Sequence, residues 1–233
     1  MKYKILILIF FSTNCFCQIS TDGLQISENN KLWFDSQIGD EKNAITVGVG
    51  EKIVVKAKKT SPFINRGRWF RGDVQYRNEV FQNTQLLFDL YENRLFTKNT
   101  STFYPIKLNK SQIDWFKFND IVYERHEVPK IEGEKSKFLE VIYKGRQTSL
   151  YYFNFRKLRI QNGVSQYYDG QEIWLEDVKN NNYYRIKRKR DLKKLFPENK
   201  KDLSSFFRNE GILFLRKASK NKLQILASIT NQL

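Results

Sequence analysis

Three strand–turn–strand segments constrain the fold of this chain more than any other feature of its sequence. In each, two runs rich in β-branched and aromatic residues flank a short turn that contains Asn or Gly. Such turns suit hairpins, because Asn and Gly tolerate the positive φ that tight turns require. Consecutive hairpins form an antiparallel sheet. The hairpins are predicted over 86–96 with a turn at Glu92-Asn93, over 138–151 with Gly145 supplying the positive φ, and over 172–186 with a turn near Asn180-Asn181.

Further strand-forming runs precede the first of these hairpins. The β-branched runs 45–49 and 53–57 are separated by three residues and are predicted to pair with each other. Single strands are predicted over 31–34 and 69–76.

After residue 187 the apolar residues follow a helical period. Leu192, Leu195 and Phe196 lie at i, i+3 and i+4, and Pro197 ends that helix. A second helix is predicted over 202–210 with Gly211 as its C-cap, then an extended link or strand over 212–215, and a third helix capped by Ser219. Short amphipathic helices need an apolar surface to pack on, and the sheet provides it. The sequence therefore predicts an α+β fold: an antiparallel sheet, able to curl strongly, with short C-terminal helices packed on it. Residues 18–233 are predicted as one β-rich domain whose part 187–233 is mainly helical.

The N-terminus has the pattern of a cleavable secretory signal. Two lysines precede the apolar run 5–11, and Cys15 and Cys17 provide small residues two positions apart. The sequence predicts a signal over 1–17, with Gln18 as the first mature residue, and no transmembrane segment after its removal. Lipidation at Cys15 or Cys17 is an alternative, although the preceding residues are not of the Leu-Ala-Gly type. The predicted location is the periplasm, the outer membrane or the exterior of the cell.

Export would leave few residues for nucleophilic or metal chemistry. Both cysteines lie in the predicted signal, so the mature chain would have no disulfide and no thiolate. The single histidine, His126, stands in a charged stretch and is predicted to be solvated. Neither a catalytic constellation, nor a metal site, nor a cofactor is predicted.

Basic residues are concentrated at the C-terminal end. The chain has 41 Lys and Arg against 25 Asp and Glu, and residues 185–233 carry 14 basic and 4 acidic residues. A basic surface attracts anions. Since export would separate the chain from nucleic acid, the predicted partners are an acidic glycan, a lipid head group or an envelope protein. The predicted anion-binding residues are Arg188, Lys189, Arg190, Lys193 and Lys194; the alternative is that they form the ordinary solvated face of an amphipathic helix.

A carboxylate-dependent hydrolase of an envelope polymer is a second hypothesis. Glycoside hydrolysis needs two carboxyl groups aligned across a cleft. The candidates are Asp73, Asp89, Glu140, Glu172 and Glu176, on strands rich in aromatic residues. Trp69, Trp115 and Trp174 would line a binding groove or, as is usual for tryptophan, lie in the core.

Several short motifs resemble a known group of proteins. They include Phe70-Arg71-Gly72-Asp73-Val74, the pattern Phe-x-Glu-Val-x-Tyr-x-Gly over 138–145, and Lys189-Arg190-Asp191-Leu192 before Leu195-Phe196-Pro197. Over about residues 60–233 the chain resembles a group of small exported proteins of unknown function from Bacteroidota. The resemblance implies an envelope location and a sheet with C-terminal helices, and it assigns no activity to any residue. The sequence thus predicts an exported, non-catalytic binding or accessory protein.

Overall fold

A computed structural model of the chain describes residues 45, 50–57, 59–99, 104–128 and 136–231. In this part, ten strands form one antiparallel sheet and three α-helices follow them, which confirms the predicted fold class. The predicted signal over 1–17, the strand over 31–34 and most of the run 45–49 lie outside the described residues. The elements are β1 (Phe70–Tyr76), β2 (Glu79–Asp89), β3 (Arg94–Lys98), β4 (Pro105–Lys107), β5 (Ile113–Phe118), β6 (Ile121–Glu127), β7 (Ser136–Lys144), β8 (Thr148–Gln161), β9 (Val164–Asp177), β10 (Asn182–Ile186), α1 (Lys189–Leu195), α2 (Lys200–Asn209) and α3 (Lys220–Thr230).

The sheet is strongly curled. Its strand order is β10-β9-β8-β7-β6-β5-β1-β2-β3-β4, so the chain returns from the β4 edge to a place beside β1. In a flat sheet β4 and β5 would lie about 19 Å apart. Residues 108–112 join them and include a 3₁₀ turn, which limits their reach to about 16 Å. Curling resolves this mismatch and brings Phe88 of β2 onto Phe138 of β7, with ring centroids 6.0 Å apart.

Asn93 holds the curl together at the turn between β2 and β3. Its Oδ1 accepts a hydrogen bond from the Phe138 N–H at 2.9 Å, and its Nδ2 donates to the Phe138 carbonyl at 3.4 Å. The positive φ predicted for this turn is confirmed at Asn93, where φ is 54°. The turn has four residues rather than two, because Asp89 Oδ1 accepts from the N–H groups of Tyr91 and Glu92 and extends it.

The two largest clusters of buried hydrophobic residues occupy the two ends of the sheet. One lies inside the curl, where Leu86, Phe88, Ile113 and Phe116 are fully buried. The other lies between the strands β7–β10 and the helices. Its buried side chains come from the sheet (Ile142, Leu150, Tyr152, Ile173, Leu175, Ile186) and from the C-terminal part (Leu192, Leu203, Phe207, Ile212, Leu215, Leu223, Leu226, Ala227).

The predicted helix boundaries are largely confirmed. The Ser219 hydroxyl accepts from the Lys222 N–H and begins α3, and Gly211 has a φ of 60° after α2. α1 ends two residues before Pro197. The link 212–215 forms no strand, since Leu215 begins a 3₁₀ turn that runs to Lys217. Within the described part of the chain, no helix has the length and apolar character needed to cross a membrane.

Two local predictions were wrong. Residues 53–57 form no strand, and Gly50 forms an isolated bridge with Ile106 in β4. Most of the predicted partner run 45–49 lies outside the described residues. Gly145 does not have positive φ. A Cβ at this position would lie 2.3 Å from Oδ1 of Asn231, so close approach rather than backbone conformation requires glycine here.

β8 and β9 form a long hairpin that was not among those predicted from the sequence. Each strand has 14 residues, and Asn162 and Gly163 form the turn with φ of 51° and 73°. Its outer half leaves the helix-covered sheet, and the Arg156 guanidinium donates to backbone carbonyls in the segment 61–63. Ile160 and Val164 are exposed near the tip.

Candidate functional site

A groove of about 820 Å³ lies where the sheet meets the C-terminal helices. The middle of β9, the end of β10, the start of α1 and the link between α2 and α3 form its walls. Among the described residues, six basic ones line it: Arg185, Lys187, Arg188, Lys189, Arg190 and Arg216. The other lining residues are Gln171, Glu172, Ile173, Ile186, Leu213, Phe214 and Leu215.

The chain between β10 and α1 is held by two buried anchors and one carboxylate. Ile186 and Leu192 are buried in the helix-covered core. Asp191 Oδ2 accepts from the backbone N–H groups of Lys187 and Arg188 at 3.0 and 2.8 Å. Partial desolvation opposes ionisation of Asp191, but these N–H groups and the nearby arginines outweigh it and lower its pKa below the usual 3.8. Because the anchors point inward, the basic side chains between them face the groove and solvent.

The groove is electropositive because its basic residues outnumber its acidic ones and an ion pair neutralises the described carboxylate that lines it. Glu172 is the single carboxylate among the described lining residues, and Arg185 pairs with it at 2.5 Å. Lys189 lies over the Phe207 ring, 5.1 Å from its centroid. Within the described residues, the side chains of Lys187, Arg188, Arg190 and Arg216 form no ion pair, although Arg188 and Arg190 lie near the Asp191 carboxylate.

Three of the five predicted anion-binding residues line this groove. Arg188, Lys189 and Arg190 do so from the start of α1, whereas Lys193 and Lys194 lie farther along the helix and do not. Sequence reasoning missed Arg216 as a member of the site, since folding brings it there from a link that is remote in sequence. Arg185 and Lys187 belong to the basic region 185–233 seen in the sequence. They lie where β10 leads into α1, and this places them in the groove.

Two exposed apolar side chains border the same groove. Leu213 is 80% exposed and Phe214 is 64% exposed, whereas their neighbours Ile212 and Leu215 are buried at 5% and 3%. The Lys217 Nζ lies 5.6 Å from the centroid of the Phe214 ring. The mouth of the groove therefore combines apolar surface with positive charge.

The five candidate carboxylates for a hydrolase are spread over the sheet, and each has partners. Glu172 and Glu176 occupy one face of β9 four residues apart, about 13 Å between Cα atoms. Asp73 accepts from the Asn83 N–H, Asp89 caps the β2–β3 turn, Glu140 pairs with Lys220, Glu172 pairs with Arg185, and Glu176 accepts from Tyr151 and Tyr183. Burial raises the pKa of Asp89.

His126 is not solvated as predicted, because its side chain is only 13% exposed. Its Nδ1 lies 2.8 Å from the Tyr183 hydroxyl, and its ring centroid lies 4.4 Å from that of Tyr151. Both tyrosine hydroxyls donate to Glu176, and burial raises the pKa of each. This network links β6, β8, β9 and β10, and its buried position indicates a structural role.

The three tryptophans that the structure describes do not line the groove. Trp174 is 1% exposed and belongs to a buried cluster with Tyr151 and Tyr183. Trp69 and Trp115 are half-buried on or beside other strands. The aromatic side chain that the groove does present is Phe214.

No group of three or more His, Cys, Asp or Glu side chains that could hold a metal ion occurs in the described ranges. No protein-family model, curated protein or solved structure matches this chain. The function is therefore inferred from the groove and the residues around it.

Proposed function

We propose that this protein is a non-catalytic binding protein of the cell envelope and that its basic groove binds an anionic ligand. The envelope location rests on the predicted signal over 1–17 and on the resemblance to exported proteins. The binding role rests on one observation: five cations of the segment 185–190 and Arg216, which is remote from them in sequence, converge on a groove whose described lining carboxylate is already paired.

The shape of the site strengthens the attraction between these charges and an anion. A concave surface lined by charges of one sign focuses the electric field and raises the local concentration of counter-ions. Arginine also matches planar or tetrahedral oxyanions with two parallel N–H donors. Arg188, Arg190 and Arg216 are therefore suited to a ligand that bears phosphate, sulfate or carboxylate groups.

A binding role suits the groove better than a hydrolytic one. General acid–base catalysis needs a carboxyl group or histidine within reach of the reacting atoms. Glu172 is held by Arg185 and by the Trp174 indole N–H at 3.2 Å. The remaining charged lining residues that the structure describes are arginine and lysine, which hold an anion but are poor proton-transfer groups at neutral pH.

Two matched double variants test whether the groove is the site. R188Q/R190Q removes two charges from the groove, and K193Q/K194Q removes two charges from the same helix outside it. Fluorescent dextran sulfate serves as the anionic probe, with binding followed by fluorescence anisotropy. Loss of charge-assisted contacts is expected to weaken binding by at least about tenfold in R188Q/R190Q. The control is expected to remain within about threefold of wild type, because exposed charges outside the site act only at a distance.

Salt provides a second measurement on the same proteins. Raising the ionic strength from about 0.1 M to about 1 M shortens the Debye length from about 10 Å to about 3 Å, so binding is expected to collapse. Equal losses in the two double variants would show that total charge rather than the groove binds the probe, and would contradict the proposal. An absence of binding by the wild-type protein would contradict it as well.

A further inference from the structure

The link between α2 and α3 places two large apolar side chains in water. In the run 212–215, the two middle residues Leu213 and Phe214 face solvent. The residues at its two ends, Ile212 and Leu215, are buried in the core. Ile212 and Leu215 fix both ends of the link, so the exposed pair is held in position rather than carried on a loose loop. At 80% and 64% exposure, Leu213 and Phe214 bury little of their surface in the fold.

The charges around this pair are positive. Arg216 and Lys217 follow it directly, and Arg188 and Arg190 line the groove beside it. The acidic residue that precedes the link, Glu210, is paired with Lys222 at 3.2 Å. A partner that fits this surface must accept apolar side chains and supply negative charge within a few ångströms of them.

A bilayer that contains anionic lipids has both properties. Its acyl chains begin just below the head groups, so a short apolar projection enters the hydrocarbon boundary while neighbouring cations bind head-group phosphates. The Lys217 ammonium over the Phe214 ring fits this arrangement, because a long basic side chain can keep its charge at the head-group level beside a buried ring. A soluble anion would use the cations but would leave Leu213 and Phe214 in water.

We propose that residues 213–217 and the basic groove dock the protein on a membrane surface rich in anionic lipid, with Leu213 and Phe214 inserted. This inference rests on the proposed function and specifies its ligand as a lipid head group in a bilayer. The same residues then explain both the charge and the exposed apolar surface.

Cosedimentation with vesicles tests the docking. Vesicles of phosphatidylglycerol and phosphatidylcholine are expected to bind the wild-type protein, whereas phosphatidylcholine vesicles are not. Each methylene moved out of water changes an equilibrium constant about fourfold, so L213A/F214A is expected to weaken binding by about 30-fold or more. Both side chains are exposed, so the fold should tolerate the change. The matched control I160A/V164A truncates exposed apolar residues at the β8–β9 tip and is expected to bind as wild type.

Dextran sulfate distinguishes failure of this inference from failure of the proposed function. L213A/F214A is expected to lose much more affinity for the vesicles than for this soluble polyanion, because the groove cations that hold the polyanion remain. If L213A/F214A binds vesicles as wild type does, while R188Q/R190Q loses dextran sulfate, the inference is wrong and the proposed function stands. If R188Q/R190Q keeps its affinity for both probes, both are wrong.

Fluorescence locates the inserted side chain directly. The F214W variant is expected to show a blue shift on anionic vesicles and quenching by brominated lipid beyond that of the wild-type tryptophans. Equal quenching in the two proteins would overturn the insertion. Dimerisation in light scattering that L213A/F214A abolishes, without vesicle binding by wild type, would assign the apolar pair to self-association and would also overturn it.

Discussion

Replacement of Asn93 is expected to destabilise the curl of the sheet. The side chain is 2% exposed and makes both backbone hydrogen bonds to Phe138. In N93A the buried Phe138 N–H loses its acceptor, which costs about 1–3 kcal/mol. The φ of 54° adds about 1–2 kcal/mol for alanine. The free energy of unfolding should therefore fall by about 2–5 kcal/mol, or about 5–15 °C in Tm for a domain of this size.

The glycine variant separates the two contributions. N93G also removes the hydrogen bonds but adopts positive φ without strain, so its loss should be the smaller, about 1–3 kcal/mol. Urea unfolding followed by circular dichroism gives the two free energies, and hydrogen exchange reports on the Phe138 amide, which should lose protection in both variants. If N93G were as stable as wild type with the Phe138 amide still protected, Asn93 would be needed only for its backbone conformation and the reasoning would be refuted.

Two further substitutions test local contacts around the helical part. G145A is expected to lower the free energy of unfolding, measured by urea titration, by about 1–3 kcal/mol. The added Cβ would displace the Asn231 carboxamide, whose oxygen accepts from the N–H groups of Gln147 and Thr148. A free energy of unfolding equal to that of wild type would contradict the close approach. D191A is expected to lower it by up to about 1 kcal/mol at neutral pH through loss of the cap. Because the folded-state pKa of Asp191 is lowered, the extra stability of wild type over D191A should be present above the usual pKa of 3.8. This stability difference should disappear as the pH falls through the lower folded-state pKa. A stability difference that grows in acid would contradict this.

The sequence could predict features that depend on neighbouring residues. The residue types on each side of 92–93 and 180–181 specify hairpins, and Asn93 and Asn181 adopt the positive φ that such turns use. Pro197, Gly211 and Ser219 mark helix ends, because missing N–H groups, positive φ and hydroxyl caps act within one helical turn. The sequence also showed that basic residues are concentrated near α1, because this follows from composition alone.

The tertiary structure decided which of these features meet. Asn93 bonds a backbone group 45 residues away, Gly145 is constrained by the C-terminal Asn231, and Arg216 joins Arg188 in one groove. Residue types and periodicity describe local conformational preference, whereas these contacts depend on how the sheet curls and where the helices pack on it. The position of Lys193 and Lys194 outside the groove has the same cause. The sequence by itself determined that the chain would be an antiparallel sheet with basic C-terminal helices, and packing between distant segments decided which cations share a site.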